Sequence, residues 1–170
     1  MLQNVLQVFC SLNNIITTDK VVYMAQQYDQ LLLQNQLCFP LYACARKIVA
    51  EYTPYLKPLG LTYTQYIVFM VLWEKESVTA GQLGSILHLD AGTLTPLLKH
   101  LEKDGYVTRK RSKEDERIMQ ITITKKGDAL KEKCKNIPLE LIKNKASCNT
   151  GLTETESKKL YQLLYKLLEE

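Results

Sequence analysis

No hydrophobic stretch in this sequence approaches the roughly 20 residues that a membrane span needs, because charges or amides interrupt each one. The start, Met1 to Val22, has neither the basic head nor the unbroken apolar run of an export signal. A cytoplasmic protein with no membrane partner is expected. The five cysteines, Cys10, Cys38, Cys44, Cys134 and Cys148, are an odd number at irregular spacings, with no CxxC pair and no paired histidines to join them. That argues against a disulfide-stapled secreted scaffold and a structural zinc site, and no metal or other cofactor is expected. Internal repeats and low-complexity tracts are lacking too. Nor does one sign of charge dominate: 22 Lys plus Arg against 18 Asp plus Glu leave a net +4, which permits a nucleic-acid partner without requiring one.

What is present suffices for one domain with a core: 170 residues, 46% of them hydrophobic. Residues 1–23 stand outside the periodic pattern and are read as an N-terminal arm or extension, with Met24 an alternative start of translation. From about Gln26 to Tyr55, apolar residues such as Leu33, Leu37, Leu41, Ile48 and Tyr52 recur at helical spacing. They predict a long first helix, distorted at Pro40 and closed by Pro54, Pro58 and Gly60. Thr62 with Gln65 makes a capping-box pattern ahead of an apolar second helix that ends near Lys75. Thr79 and Asp90 start two short helices in quick succession, the second stopped by Gly105, which predicts a helix-turn-helix over 79–104. Alternating and β-branched residues flank the charged tip at 112–116 and predict a β-hairpin wing over 106–124. Thr124 caps a fifth helix interrupted at Pro138. Thr153 with Glu156 caps a sixth, which carries Leu160, Leu163, Leu164, Leu167 and Leu168 on one face.

The expected fold is therefore mainly α with a small β-wing, a winged helix-turn-helix domain of six helices over 24–170. The last leucine stripe is too apolar to face water, so a dimer is expected, with 26–58 and 125–170 as its dimerisation helices.

A helix from Asp90 to Asp104 is about 22 Å long and suits a major groove roughly 12 Å wide. Its first turn, Asp90-Ala-Gly-Thr-Leu-Thr-Pro96, sets small residues and hydroxyls where free N–H groups and the positive helix end can meet phosphate. Asp90, Gly92, Thr93, Thr95 and Pro96 are candidate DNA-facing residues, and Lys99 and His100 follow one turn later. The wing adds Arg109, Lys110, Arg111, Lys113 and Arg117, cations for backbone contacts and for one arginine in a narrow minor groove. Acids at 114–116 repel phosphate unless paired, so Asp115 is expected to brace Arg117 across the tip while the arginine points outward.

The run from Asp90 to Tyr106, followed by Arg109-Lys-Arg-Ser-Lys-Glu-Asp-Glu-Arg117, resembles the recognition helix and wing of MarR-family transcriptional regulators. The resemblance covers roughly Leu31 to Glu170. It implies a homodimer whose first, fifth and sixth helices interlock while two winged domains read a pseudopalindromic operator in double-stranded DNA. Ala91 and His100 stand where close relatives often carry Ser and Arg.

A second resemblance concerns the thiols. Leu37-Cys-Phe-Pro-Leu-Tyr-Ala43, with Tyr52 and Leu61-Thr-Tyr-Thr-Gln-Tyr66 downstream, is similar to the organic-hydroperoxide-sensing, OhrR-like branch of that family. It implies that Cys38 is the peroxidatic sensor and that Tyr52 and Tyr63 hydrogen-bond to it. On a continuous helix Cys38 and Tyr52, 14 residues apart, are separated by about 21 Å, so if they meet, Tyr52 comes from the partner subunit. Phenolic O–H groups would stabilise the thiolate, the form that attacks peroxide. Phe39, Leu41, Tyr42 and Trp73 would favour apolar hydroperoxides, although core packing accounts for most of them. A sulfenic acid at Cys38 can condense with a second thiol within reach. Cys148, in Ser147-Cys-Asn-Thr-Gly-Leu152, looks like the resolving cysteine of two-cysteine members. Cys134 is its rival, and an unassisted sensor is the third case. Cys44 and Cys10 are read as packing and arm residues.

The leading expectation is a repressor, not an enzyme, that binds operator DNA while Cys38 is reduced and releases it on oxidation by organic hydroperoxide. The alternatives are a MarR-type repressor responding to a small phenolic ligand, a thiol peroxidase, and a winged helix that binds protein. Against the peroxidase stand the lack of an arginine-bearing peroxidase motif around Cys38 and the presence of the winged helix.

Overall fold

Pro40 decides where the first helix starts. A proline ring clashes with the carbonyl four residues back and has no N–H to offer it, so a helix through 36–40 is disfavoured. The computed structural model describes residues 28–143 and 152–169. It has two 3-10 turns, Asp29–Leu31 and Leu33–Asn35, ahead of helix α1, Cys38–Leu56. The helix start expected near Gln26 is thus corrected to Cys38. Pro40 falls in the first turn, where its N–H is not needed. At the other end Pro54 lies inside α1 rather than after it, and the chain turns through Lys57–Leu59 and Gly60. The chain divides into two units, one ending at Lys47 and the other running from Ile48. In the first unit Leu31, Leu33, Leu37, Phe39 and Tyr42 are exposed.

In the second unit, α2 (Tyr63–Lys75) opens with the capping box read from the sequence. Thr62 Oγ1 accepts from the Gln65 N–H at 3.2 Å, and Gln65 Oε1 accepts from the Thr62 N–H at 2.9 Å. Its apolar residues run round the helix, which makes it the buried centre of the unit: Tyr66, Val68, Phe69 and Leu72 are all buried. A short strand that the sequence did not suggest, β1 (Ser77–Thr79), leads to a second capping box, Thr79 with Gln82, at the head of α3 (Ala80–Leu87). His88, at φ 51°, and a bond from the Leu89 N–H to the Gly84 carbonyl (2.9 Å) turn the chain into α4, Ala91–Lys103. Leu94, Leu98 and Leu101 anchor α4 in the core, and each contributes about 1.5–3 kcal/mol by leaving water. Gly105, at φ 76°, stops α4 in the left-handed conformation that costs glycine no steric strain.

β2 (Val107–Arg111) and β3 (Met119–Ile123) form the wing hairpin, and β1 adds to the far edge of β3, giving the antiparallel order β1-β3-β2. Val78 pairs with Ile121, which pairs with Arg109. Thr124 caps α5 (Lys125–Cys134) by accepting from the Gly127 N–H. This helix ends at Cys134, the residue whose carbonyl Pro138 would strike. Pro138 instead takes the second position of α6, Ile137–Lys143. All six expected helical regions are present, the fifth as α5 and α6. The last, α7 (Glu154–Leu168), begins with the Thr153–Glu156 capping box and exposes its leucine stripe. Gly127 sits against the start of β2, where a Cβ would overlap the Tyr106 carbonyl, and the Trp73 indole N–H donates to the Gly127 carbonyl at 3.1 Å. Among the described residues no helix is long and apolar enough to cross a membrane, and no cluster of His, Cys, Asp or Glu is placed to hold a metal.

Candidate DNA interface and thiol site

The first turn of α4 is exposed, and its polar atoms are largely organised by Asp90. Its Oδ1 accepts from the Thr93 N–H at 2.9 Å and its Oδ2 from the Thr93 hydroxyl at 2.8 Å. These bonds, the backbone one foremost, hold the Asp90 carboxyl below its ordinary range. The Thr93 hydroxyl proton is therefore committed to the cap, and the hydroxyl can meet DNA through its oxygen. Gly92 leaves room for the cap, since a Cβ there would stand 2.9 Å from Asp90 Oδ1. Thr95, Pro96 and Lys99 are exposed beside the buried Leu94 and Leu98. Farther along, His100 Nδ1 lies 3.1 Å from Asp104 Oδ2. A groove of about 550 Å³ runs beside this turn, lined by Ser85, His88, Asp90, Ala91 and Thr95 among others.

In the wing, Arg109 departs from expectation. Alternate residues of a strand face opposite sides, so Arg109 shares a face with the buried Val107 while Thr108 and Lys110 point the other way. Its side chain is 15% exposed and its Nη1 stands 3.5 Å from Glu102 Oε2. Arg109 thus faces α4, whereas Lys110, Lys113 and Arg117 are exposed. Arg111 is tied to the tip, its Nη1 donating to the Glu116 carbonyl at 2.5 Å. Asp115 braces the tip too, but through the backbone: its Oδ1 accepts from the Arg117 N–H at 2.9 Å, leaving the exposed guanidinium outside that bond.

Cys38 is the first residue of α1, in the first unit, and is exposed. Tyr52 and Tyr63 both belong to the second unit, where their rings meet edge to face with centroids 4.9 Å apart. Tyr66, to which the sequence pattern assigned no role, joins them at 5.9 Å from Tyr52; its place one helical turn after Tyr63 was the available signal. Burial raises the Tyr63 phenol. Burial first, then Tyr52, Cys134 and Tyr63, pushes Tyr66 up to about 12. Cys134 is buried, and burial pushes its thiol up as well. Cys44, expected to pack, is exposed. Cys148 and Cys10 lie outside the described residues. A cleft of about 410 Å³ opens beside Tyr63, bounded by Val49, Thr53, Leu56 and Leu61.

The sequence model of the family "Transcriptional regulator SarA/Rot" matches residues 51–137, half of the chain, with the helix-turn-helix and wing inside the match. The chain belongs to this family of MarR-like transcriptional regulators. Cys38 lies ahead of the matched segment. The organic hydroperoxide resistance transcriptional regulator of Bacillus subtilis (strain 168) is 44% identical over 149 residues, which span 86% of this chain and 96% of that protein. Reduced AbfR bound to DNA, a Staphylococcus epidermidis protein, is 35% identical with a TM-score of 0.63 over 85% of this chain and 97% of the other. A mutant MarR from Escherichia coli complexed with operator DNA is 29% identical with a TM-score of 0.64, over 78% and 93% respectively. This SarA/Rot-type protein is thus a DNA-binding regulator with the winged helix fold, and its relatives are regulators rather than enzymes.

Proposed function

We propose that this regulator is a redox-responsive repressor: a homodimer that grips a pseudopalindromic operator through α4 and the wing while Cys38 is reduced, and releases it when an organic hydroperoxide oxidises Cys38. The observation that carries this reading is the exposed Cys38 thiol in a chain 44% identical to an organic hydroperoxide resistance regulator. In the oxidation the thiolate sulfur attacks one peroxidic oxygen. An S–O bond forms as the O–O bond breaks, the sulfur gives up two electrons, and the departing alkoxide takes a proton to leave as an alcohol. The sulfenic acid then condenses with a second thiol, forming an S–S bond and releasing water. Burial of Cys134 speaks for Cys148 in that role, because thiol exchange needs access.

The homodimer is supported by α7, whose exposed Leu160, Leu163, Leu164, Leu167 and Leu168 form a stripe that needs covering. Tyr52 and Tyr63 then serve the thiol of the other protomer. A mobility-shift assay on the DNA upstream of the gene, with and without cumene hydroperoxide, tests the reading. Reduced protein should retard the DNA and oxidised protein should not; retardation indifferent to peroxide would count against it. Cys148→Ser should abolish the crosslinked dimer band on a nonreducing gel. The cleft beside Tyr63 supports a second reading, release by a small phenolic ligand. Ligand-driven release that survives Cys38→Ser would favour it.

A further inference from the structure

Glu102 occupies the last turn of α4, the end at which a helix dipole disfavours an acid. Its carboxylate is spent on one residue of the wing. Oε1 accepts from the Arg109 backbone N–H at 3.2 Å, and Oε2 lies 3.5 Å from the Arg109 Nη1. β2 is an edge strand, so the bond to Glu102 satisfies an outward-facing N–H that would otherwise be open. The guanidinium is sunk against the protein: Arg109 Nε is buried with no hydrogen-bond partner among the described residues. Beneath the pair, Leu101 and Val107 are buried in the core, and the intervening turn is closed by bonds of 2.9 Å from the Gly105 N–H to the Glu102 carbonyl and from the Tyr106 N–H to the Leu101 carbonyl.

We propose that Glu102 and Arg109 form a clamp that fixes the recognition helix to the first strand of the wing, so that Arg109 is a positioning residue for DNA binding and not a DNA contact. The clamp rests on the reading that α4 and the wing tip engage the operator together, since two grooves can be met at once only if their relative placement is set.

The test uses the full-length chain and the duplex that the wild type selects from a random library, with affinity read by fluorescence anisotropy. Glu102→Gln adds one positive charge per protomer, so charge alone would tighten binding. The clamp predicts the opposite sign, a loss of about 5- to 10-fold, with a similar loss for Arg109→Gln. The double variant should bind no worse than the weaker single one, because either change opens the same clamp. Thermal melts establish that each variant is folded. Glu102→Gln binding as tightly as wild type or tighter, or a double variant whose loss multiplies the two single losses, would overturn the clamp. Arg117→Ala on the same duplex tests the wing tip separately, through a salt slope shallower by about 0.9 for each phosphate that the arginine neutralises. If Arg117→Ala behaves as wild type, the tip's role on DNA fails and the clamp, which rests on it, falls with it; a weakened Arg117→Ala beside an unweakened Glu102→Gln overturns the clamp alone.

Discussion

Tyr52 on α1 and Tyr63 at the start of α2 stand edge to face at 4.9 Å between ring centroids, so one chain holds two phenols side by side. In the proposed mechanism both hydroxyls stabilise a single thiolate. A hydrogen bond to a charged acceptor contributes about 1.5–3 kcal/mol, or roughly 10- to 150-fold in rate if expressed fully in the reaction. Tyr52→Phe and Tyr63→Phe should each keep operator affinity while slowing Cys38 oxidation at least about tenfold. Trapping the sulfenic acid with dimedone and following it by mass spectrometry measures this. Wild-type rates in both variants would remove the tyrosines from the mechanism.

The exposed face of α4 and the wing tip should act together on DNA. Thr95→Ala and Lys99→Ala should weaken operator binding, and Arg117→Ala should cost about 1–3 kcal/mol if it reads a base edge. Anisotropy titrations at physiological salt decide. Unaltered affinity in all three variants would place the interface elsewhere.

Tyr66 supplies a stability signature at alkaline pH. Buried beside Tyr52, Tyr63 and Cys134, it ionises near 12 in the folded chain against 10.0 for an ordinary tyrosine. Between those values the unfolded chain loses this proton and the folded chain keeps it. The contribution is therefore intact below pH 10 and falls as the pH climbs towards 12, by about 2–3 kcal/mol in all. Urea midpoints at about pH 9 and about pH 11 should converge in Tyr66→Phe relative to wild type. An identical alkaline loss in the variant would assign it to other groups.

Gly127 tests the packing of α5 on the wing. An added methyl must displace the Tyr106 backbone, which the Thr124 bonds to the Gly105 and Tyr106 carbonyls hold in place. Gly127→Ala should therefore destabilise the chain by about 3 kcal/mol, at the upper end of overpacking costs, despite alanine's better helix propensity. Differential scanning calorimetry should show a lower Tm; an unchanged or raised Tm would contradict the packing.

Local signals carried most of the fold. The capping boxes at Thr62 and Thr153, the helix starts at Thr79 and Asp90 and the change of period into the wing each act within a few residues, and each takes the form its local chemistry dictates. What escaped were consequences of placing one element against another. The start of α1 followed from the reach of Pro40 back to Gln36, a clash the apolar periodicity does not register. The strand Ser77–Thr79 is too short to show a period and exists because β3 offers it a ladder. Arg109 was read by its charge, when its alternation with Val107 already placed it on the inner face. The three-tyrosine cluster needed α1 and α2 to be packed before Tyr66 could be seen to belong to it.

If the sulfur of Cys38 is the switch, replacing it should leave DNA binding intact and abolish release by peroxide. Wild type and Cys38→Ser are bound to the same labelled operator duplex, and anisotropy is followed as cumene hydroperoxide is added. Serine cannot form a sulfenic acid. Equal initial affinity, release by the wild type, and Cys38→Ser remaining bound at every peroxide concentration that empties the wild type are expected. Release of Cys38→Ser at the same peroxide concentration as wild type would contradict the switch.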